Sequence, residues 1–159
     1  MSAYVDVFGK PHELPRGVKP TARRSVYGIA VRDGKLLVVV STWSDKYDLP
    51  GGRAREGESD EEALKREFME ETGYCIRLLD DKPLHSFRGC FYANDRGKYF
   101  NVKGVHYRVE SVGAPDATKI RRDEIRSVSF ISLKELSQEN CTHVHWPAVQ
   151  KLLMLQTGK

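Results

Sequence analysis

The amino-acid sequence predicts an α/β fold of the α+β type, in which helices flank one mixed β-sheet. Most of its apolar runs are short, with the spacing of strands rather than of helices. Helix-start signals stand out at only two places, Ser59 and Pro147. The run from Leu36 to Val40 is apolar at every position, which is typical of a strand covered on both faces. Helices on both sides of one sheet satisfy all three observations.

The composition indicates a single folded domain. The chain has 159 residues, 40% of them hydrophobic and 30% charged, a mixture that can bury a core. A disordered chain would have fewer apolar residues and a more lopsided charge. The net charge of +4 suits an anionic ligand but is too small to require a nucleic-acid partner.

The cysteines and the hydropathy favour a cytoplasmic protein. The three cysteines, Cys75, Cys90 and Cys141, are odd in number and far apart, unlike a secreted disulfide framework. No apolar run is long enough to cross a membrane, and the first ten residues lack the pattern of a signal peptide.

The elements follow in order from the amino end. Residues 1–22 are polar and contain three prolines, so we expect an arm or edge segment that contributes dimer contacts, followed by one domain over 23–159. The runs 25–32 and 35–42 flank Asp33-Gly34, a strong signal for a β-hairpin.

A helix follows the turn-rich stretch 44–57. Ser59 and Glu62 form a capping-box pattern at its start, and Gly73 stands where a left-handed cap would end it. Further strands are predicted at 74–79, 84–93 and 99–111, with a bulge near Gly104 because the apolar parity shifts there. The remaining elements are a charged loop at 112–125, a strand at 127–132, a helical turn at 133–136 and a C-terminal helix opening at Pro147.

Three glutamates of the predicted helix converge on one side. Glu67, Glu70 and Glu71 fall within an arc of roughly 100° at helical periodicity, beside the apolar stripe of Leu64 and Phe68. Carboxylates crowded in this way repel one another unless they are neutralised, and a hard divalent cation such as Mg²⁺ does so directly. The alternative is a solvated acidic helix face.

The loop before the helix contains Leu49-Pro50-Gly51-Gly52. Glycines at this place would let a backbone carbonyl reach a metal ion, or a backbone N–H reach a phosphate. On its own, such a segment is most often only a turn.

Together these segments resemble the Nudix box, the signature of hydrolases that act on nucleoside diphosphates linked to another moiety. The box runs from Gly52 to Tyr74, and every fixed position matches. The matching residues are Gly52, Glu58, Arg66, Glu67, Phe68, Glu70, Glu71, Gly73 and Tyr74. The last apolar position and the one after Glu67 are aromatic here, where the family more often has aliphatic residues.

The resemblance implies an α/β/α sandwich and a metal-dependent pyrophosphohydrolase. Glu67, Glu70 and Glu71, with the carbonyl of Gly52, would ligate Mg²⁺ or Mn²⁺. Water would attack at phosphorus, because the cation neutralises the charge of the pyrophosphate and acidifies a bound water.

The remaining roles that the resemblance implies are structural and general-base roles. Glu58 and Arg66 would pair and hold the loop against the helix. Family members differ in which carboxylate is the base, and the candidates here are Glu67, Glu71 and Glu124.

Substrate recognition carries weaker signals. Trp43 and Tyr47 could stack on a base, Arg24, like Arg23, could hold a phosphate, and Tyr92 lies near where diadenosine-polyphosphate hydrolases of the family carry a tyrosine. The ordinary alternatives are core aromatics and solvated basic residues. The alternating Cys141, His143 and His145 lack a fourth spaced ligand for zinc, and we interpret them as a loop leading into the last helix.

Two other functions stay open. One is a sensor with a Nudix-type fold that binds a nucleotide without cutting it, and the other is an RNA 5′-end pyrophosphohydrolase. An intact box and no spare length for a DNA-binding domain favour an enzyme over a sensor. The expected partner is a small nucleotide-type substrate, with a homodimer and RNA as further partners to test.

Overall fold

The computed structural model describes residues 3–157. They form nine β-strands and two α-helices, joined by short 3-10 turns. The strands are β1 Tyr4–Val5, β2 Pro11–His12, β3 Thr21–Arg32, β4 Lys35–Ser41, β5 Gly51–Arg53, β6 Cys75–Leu78, β7 His85–Ala93, β8 Lys98–Val112 and β9 Ile125–Ser132. The helices are α1 Asp60–Thr72 and α2 Trp146–Thr157, and the 3-10 turns span Ala117–Lys119 and Leu133–Glu135.

One mixed sheet organises the molecule. Its strand order is β2-β1-β7-β8-β3-β4-β9, with β5 paired to β3 and β6 paired to β8. The central pair, β3 and β8, is parallel from Thr21 opposite Phe100 to Ala30 opposite Val109. Most other pairs are antiparallel, so the mixed sheet expected from the sequence is confirmed.

The predicted hairpin joins β3 to β4. Asp33 and Gly34 both have positive φ, 52° and 73°, as a two-residue type I′ turn requires. The apolar run Leu36–Val39 is at most 2% exposed at each position. This confirms that β4 is covered on both faces.

Helix α1 begins and ends where the sequence predicts. Ser59 and Glu62 form the capping box, and Gly73 ends the helix in the left-handed conformation with φ 76°. Its apolar side, including the fully buried Leu64 and Phe68, packs on one face of the sheet. The ring of Phe68 occupies the space above Gly28.

Helix α2 covers the opposite face. Ala148, Val149 and Leu152 are buried against Ile29 and Leu36 of the sheet. With α1 on the first face, the layers are helix, sheet and helix, the predicted arrangement.

The predicted bulge near Gly104 is wrong. The pairing of β7 with β8 runs without a break from His85 opposite His106 to Ala93 opposite Lys98. The alternation of apolar residues shifts because different faces of β8 are buried in its two halves. Val102 packs in an aromatic cluster on one face of the sheet, whereas Val109 packs beneath α1 on the other face. Gly104 instead leaves room for the ring of Phe87, which a Cβ would approach to 2.2 Å.

The stretch 44–57 contains a strand as well as turns. Gly51–Arg53 forms β5 and pairs with β3, with Gly52 opposite Val26. A Cβ on Gly51 would lie 2.1 Å from the carbonyl oxygen of Val26. Glycine at this position therefore lets the backbones of β5 and β3 approach closely, although glycine has a low propensity for strands.

The amino-terminal segment lies along the sheet edge. Strand β1 pairs in parallel with β7 at Val5 opposite Phe91. Asp6 is buried and accepts hydrogen bonds from Asn94 and from the backbone of Phe8 and Lys10. Residues 1, 2, 158 and 159 of the predicted arm and domain lie outside the described residues. The boundary between arm and domain stays a prediction.

No helix within residues 3–157 combines the length and apolar character needed to cross a lipid bilayer.

Candidate active site

Helix α1 and strand β5 bring three of the four predicted metal ligands to one cavity, and Glu70, the fourth, is not part of its lining. This carboxylate cavity, about 560 Å³ in volume, is lined by Gly52, Glu67 and Glu71, among others. A Cβ on Gly52 would lie 3.0 Å from the carboxyl carbon of Glu67. The glycine therefore clears the space that the Glu67 carboxylate occupies.

The environment of the two α1 glutamates that line the cavity raises their pKa values. Burial raises the pKa of Glu71 well above its ordinary value, and the charges of Glu67 and Asp48 add to this. The N–H of Gly51 donates to Oε1 of Glu71 over 3.2 Å and opposes the rise. Burial also raises the pKa of Glu67, against the influence of Arg66. For both carboxylates the effect of burial exceeds that of the hydrogen bonds and positive charges around them.

Arg66 binds the loop to the helix as the box predicts. Its Nε and one terminal nitrogen each donate to Glu58 over 2.8 Å, the two-point geometry that only a guanidinium provides. These hydrogen bonds lower the pKa of Glu58 to about 2. The second terminal nitrogen lies 2.9 Å from Glu67 and 3.4 Å from Glu70.

A second arginine reaches the same carboxylates from the loop after β8. One terminal nitrogen of Arg121 lies 2.9 Å from Glu70, 3.5 Å from Glu124 and 3.7 Å from Glu67. The loop is attached to the end of α1, since the N–H of Arg121 donates to the carbonyl of Glu70 over 2.8 Å. The N–H of Asp116 donates to the carbonyl of Gly73 over the same distance, 2.8 Å.

The donor set fits a hard divalent cation. Three carboxylates and a glycine carbonyl are the oxygen ligands that Mg²⁺ and Mn²⁺ take. Within residues 3–157, no three His, Cys, Asp or Glu side chains are already arranged as a cation site. Arg66 and Arg121 engage oxygens of Glu67 and Glu70 instead. A cation would therefore replace the arginine contacts with its own.

A larger cavity adjoins the first. This side cavity has a volume of about 920 Å³, and its wall includes His85, Phe87 and Pro147. Arg23 and Tyr27 line both cavities. The two cavities are therefore neighbours on the sheet face that carries α2.

The predicted substrate residues and the general-base candidate Glu124 do not all lie at the carboxylate cavity. Trp43, 40% exposed, and Glu124 line the carboxylate cavity. Arg24 borders the side cavity, but its guanidinium is paired with Asp60 and with the carbonyl oxygen of Glu58.

The other two predicted aromatics do not line either cavity. Tyr47 packs against the core beneath α2. The ring of Tyr92 stacks on His12, with 4.1 Å between centroids.

Sequence reasoning missed a buried polar chain beside the site. Nε2 of His145 lies 2.6 Å from Oδ1 of Asp48, and its Nδ1 lies 2.9 Å from Nε2 of His106. The hydroxyl of Thr142 donates to the same oxygen of Asp48 over 3.1 Å. The alternating histidines were visible in the sequence, but nothing local connects His145 with a residue 97 positions earlier.

The sequence of this chain matches a known protein family. A model of the NUDIX domain matches residues 21–152, most of the chain. The chain belongs to the Nudix hydrolase family.

Solved Nudix structures share the fold at low sequence identity. A MutT Nudix hydrolase from Burkholderia pseudomallei has a TM-score of 0.65 and 24% identity, covering 83% of this chain and 98% of its own. A Nudix hydrolase from Nitrosomonas europaea has a TM-score of 0.66 and 21% identity, covering 89% of this chain and 91% of its own. A UDP-X diphosphatase has a TM-score of 0.63 and 21% identity, covering 91% and 67%. These likenesses establish the fold.

A short stretch is much more similar to one curated relative. A Bacillus subtilis (strain 168) protein, provisionally named 8-oxo-dGTP diphosphatase, is 68% identical over 32 residues. That match covers 20% of this Nudix chain and 22% of the relative, so it speaks for a segment and not for the whole protein.

Proposed function

We propose that this protein is a divalent-cation-dependent pyrophosphohydrolase acting on a nucleoside diphosphate linked to another moiety. The convergence of Gly52, Glu67 and Glu71 on one cavity, with Glu70 beside them, carries the proposal. Family membership supports hydrolysis as the reaction class. We expect it to act in the cytoplasm.

The residues divide the work in the way their positions suggest. Glu67, Glu70 and Glu71, with the carbonyl oxygen of Gly52, would hold Mg²⁺ or Mn²⁺. The bound cation would neutralise phosphate charge and lower the pKa of water. The Glu58–Arg66 pair keeps the β5 loop against α1, so that the carbonyl and the carboxylates stay in reach of one another.

Three carboxylates are candidates for the general base. Glu67 and Glu71 line the cavity from the helix, and Glu124 lines it from the loop. A base works best when its pKa is close to the operating pH. Burial raises the pKa of both helix glutamates toward that range, which supports either of them as the base.

The neighbouring cavities support a substrate with two parts. With a pyrophosphate beside the glutamates, one substituent would extend toward the side cavity, past Arg23 and Tyr27. The names of similar proteins include a UDP-X diphosphatase, an ADP-ribose pyrophosphatase and an 8-oxo-dGTP diphosphatase. All three name nucleotides with phosphoric anhydride bonds.

A hydrolysis panel tests the proposal. It compares nucleoside triphosphates, both ordinary and oxidised, with ADP-ribose, nucleotide sugars, dinucleoside polyphosphates and 5′-triphosphorylated RNA. Each is incubated with Mg²⁺, with Mn²⁺ and with a chelator, and products are resolved by chromatography. We expect a cation-dependent nucleoside monophosphate from one class. Binding without turnover across the panel would contradict the proposal and favour the sensor.

Replacing one helix glutamate tests the metal assignment. Glu70→Gln removes a charge that the cation needs but keeps the side-chain shape, so we expect turnover to fall at least about 100-fold with the melting temperature nearly unchanged. Glu61→Gln is the matched control on the same helix, since Glu61 is half-exposed and, among residues 3–157, forms an ion pair only with Lys65. Turnover by Glu70→Gln at the rate of the control would overturn the assignment.

A further inference from the structure

Asp48 is held rigidly at the wall of the carboxylate cavity. Its N–H donates to the carbonyl of Val39 over 2.8 Å, and its own carbonyl accepts from the N–H of Val39 over 2.9 Å. The side chain is 22% exposed and lines the cavity that also contains Glu71 and Gly52. Asp48 lies outside the Nudix box, and the hydrolytic machinery described above does not use it.

One carboxylate oxygen of Asp48 is fully engaged. Oδ1 lies 2.6 Å from Nε2 of His145 and accepts from the hydroxyl of Thr142 over 3.1 Å. A carboxylate oxygen offers about two lone-pair sites, and both are used here.

The chain behind Asp48 fixes its orientation. Because a carboxylate only accepts, Nε2 of His145 carries the proton, and with neutral rings its Nδ1 accepts from Nε2 of His106. Both histidines are at most 2% exposed. The ring of Tyr27 stacks on His106 at 5.2 Å and contacts the edge of His145 at 4.4 Å between centroids.

The other oxygen of Asp48 is left for a ligand. No hydrogen-bond donor of residues 3–157 reaches Oδ2. A charged acceptor held at a cavity wall selects a ligand that brings a donor, because an unpaired charge at such a place is costly. The cation proposed above would be held by Glu67, Glu70 and Glu71, so Oδ2 of Asp48 is not needed as one of its ligands. Trp43, which is 40% exposed, lines the same cavity and brings an aromatic ring on which a base could stack.

We propose that Asp48 is a specificity residue that accepts a hydrogen bond from an exocyclic amino group of the substrate's nucleobase. The proposal rests on the nucleotide-type substrate proposed above. His145 and Thr142 act through Asp48 as positioning residues. The site discriminates by leaving Oδ2 unpaired when the base lacks the amino group.

Binding without turnover tests this directly. Dissociation constants are measured by calorimetry, in a chelator, for three pairs of nucleoside monophosphates that differ at one amino group. The pairs are GMP and IMP, AMP and purine riboside monophosphate, and CMP and pyrimidin-2-one riboside monophosphate. We expect the amino-bearing member of at least one pair to bind about tenfold more tightly or better. Equal affinity within all three pairs of the unmodified protein would overturn the proposal.

A change of hydrogen-bond polarity assigns the effect to this residue. Asp48→Asn keeps an acceptor for His145 and Thr142 and places an NH₂ donor where the free oxygen was, so the preference should vanish or reverse. Asp95→Asn is the matched control, because Asp95 lines the same cavity and its one ion pair within the described part of the chain is with Arg96. A preference that survives in Asp48→Asn would exclude Asp48 as its source.

A second variant covers the case in which Asp48→Asn does not fold. Thr142→Val removes one hydrogen bond to Oδ1 with little change in volume and should reduce the preference in part, whereas an unchanged preference would contradict the positioning role. Because the assay needs no catalysis, its outcome is separate from that of the hydrolysis panel. Turnover without base discrimination would refute only the role of Asp48, and discrimination without turnover would refute only the hydrolase proposal.

Discussion

At the scale of single residues, Gly52 shows how the absence of a side chain shapes the site. Its φ lies outside the left-handed region, so the backbone would tolerate alanine. The obstacle is the Glu67 carboxylate, whose carbon and Oε2 would both lie 3.0 Å from the new Cβ. That carboxylate is the end of a flexible side chain and can move aside. Function should therefore suffer more than stability.

We expect Gly52→Ala to lower turnover at least about tenfold, because a displaced ligand misplaces the reaction centre. The free energy of unfolding should change by less than about 1 kcal/mol. Gly17→Ala is the opposite control: Gly17 has φ +85° and no neighbour within 4 Å of an added Cβ. It should lose about 1–2 kcal/mol of stability and no activity per folded molecule. Denaturant titration and steady-state kinetics separate the two effects.

His106 makes a separate prediction at this scale. Burial holds its pKa well below 6.5, and the neighbouring His145 and His85 act in the same direction. Below about pH 6.5 the unfolded chain gains a proton on this residue that the folded chain does not. The contribution of His106 to the free energy of unfolding should therefore be fully present above that pH. It should fall on acidification, by up to about 1.4 kcal/mol per pH unit.

Urea titrations from pH 7.5 to 5 measure this slope. His106→Gln should flatten the part of the slope due to this residue. His143→Gln is the control, since His143 is exposed on the loop before α2. A slope that is the same in the wild type and in His106→Gln would contradict the assignment.

At the scale of elements, α1 is positioned by a fit between one ring and one glycine. A Cβ on Gly28 would lie 2.3 Å from Cε2 of Phe68, and Phe68 is fully buried. The carboxylates sit on this helix, so the fit that fixes the helix also fixes their height above β5. The packing of Phe68 on Gly28 therefore also positions the carboxylates of α1.

We expect Gly28→Ala to lose about 1–3 kcal/mol through overpacking and Phe68→Ala about 3–5 kcal/mol through the cavity it leaves. Phe68→Leu shortens the side chain where the clash occurs. The double variant Gly28→Ala with Phe68→Leu should be more stable than the sum of its single changes, with a coupling of about 0.5–3 kcal/mol. Strictly additive unfolding free energies would show that the two residues do not share this space.

The elements also show which features the sequence could predict. The hairpin at Asp33-Gly34 and the ends of α1 depend on φ signs and caps that a few adjacent residues carry. Strand β5 and the unbroken register at Gly104 depend on what lies across the sheet. No local pattern contains that information. The sequence therefore predicts a bulge at a place where the structure has only a change in which face of the strand is buried.

The same limit applies at the site. The glutamates of α1 could be placed together because a helix repeats at a known angle. Arg121 and the pairing of Asp48 with His145 join segments far apart in the chain. Such contacts follow from the finished topology and not from spacing.

At the scale of the whole molecule, the amino-terminal segment protects an edge of the sheet. Strand β7 pairs with β8 on one side, and on the other it meets β1, which carries β2 beyond it. The buried Asp6, paired with His12, holds this segment in place. Val5 and Asp6 also line the side cavity, so one segment closes both an edge and a wall.

Deleting residues 1–12 should leave the central strands folded but expose the edge of β7, and unpaired edges associate. We expect light scattering to show concentration-dependent growth in mass, while the circular dichroism of the helices is retained. Phe8→Ser in the full chain is the control, because it removes a half-exposed apolar side chain without removing the strand. A truncated chain with the same mass as the full chain at every concentration would contradict this role.

The attachment of the Arg121 loop to α1 limits how the signature segment could be transplanted. The segment from Gly52 to Tyr74 is contiguous and looks portable between scaffolds. Yet part of the positive charge that compensates its carboxylates comes from Arg121. Backbone hydrogen bonds attach the loop of Arg121 to the end of the helix, at Glu70 and Gly73. A graft of the segment alone would import repulsion among its carboxylates without this counter-charge. A graft therefore has to include both the helix and the Arg121 loop, which are two separate stretches of the chain.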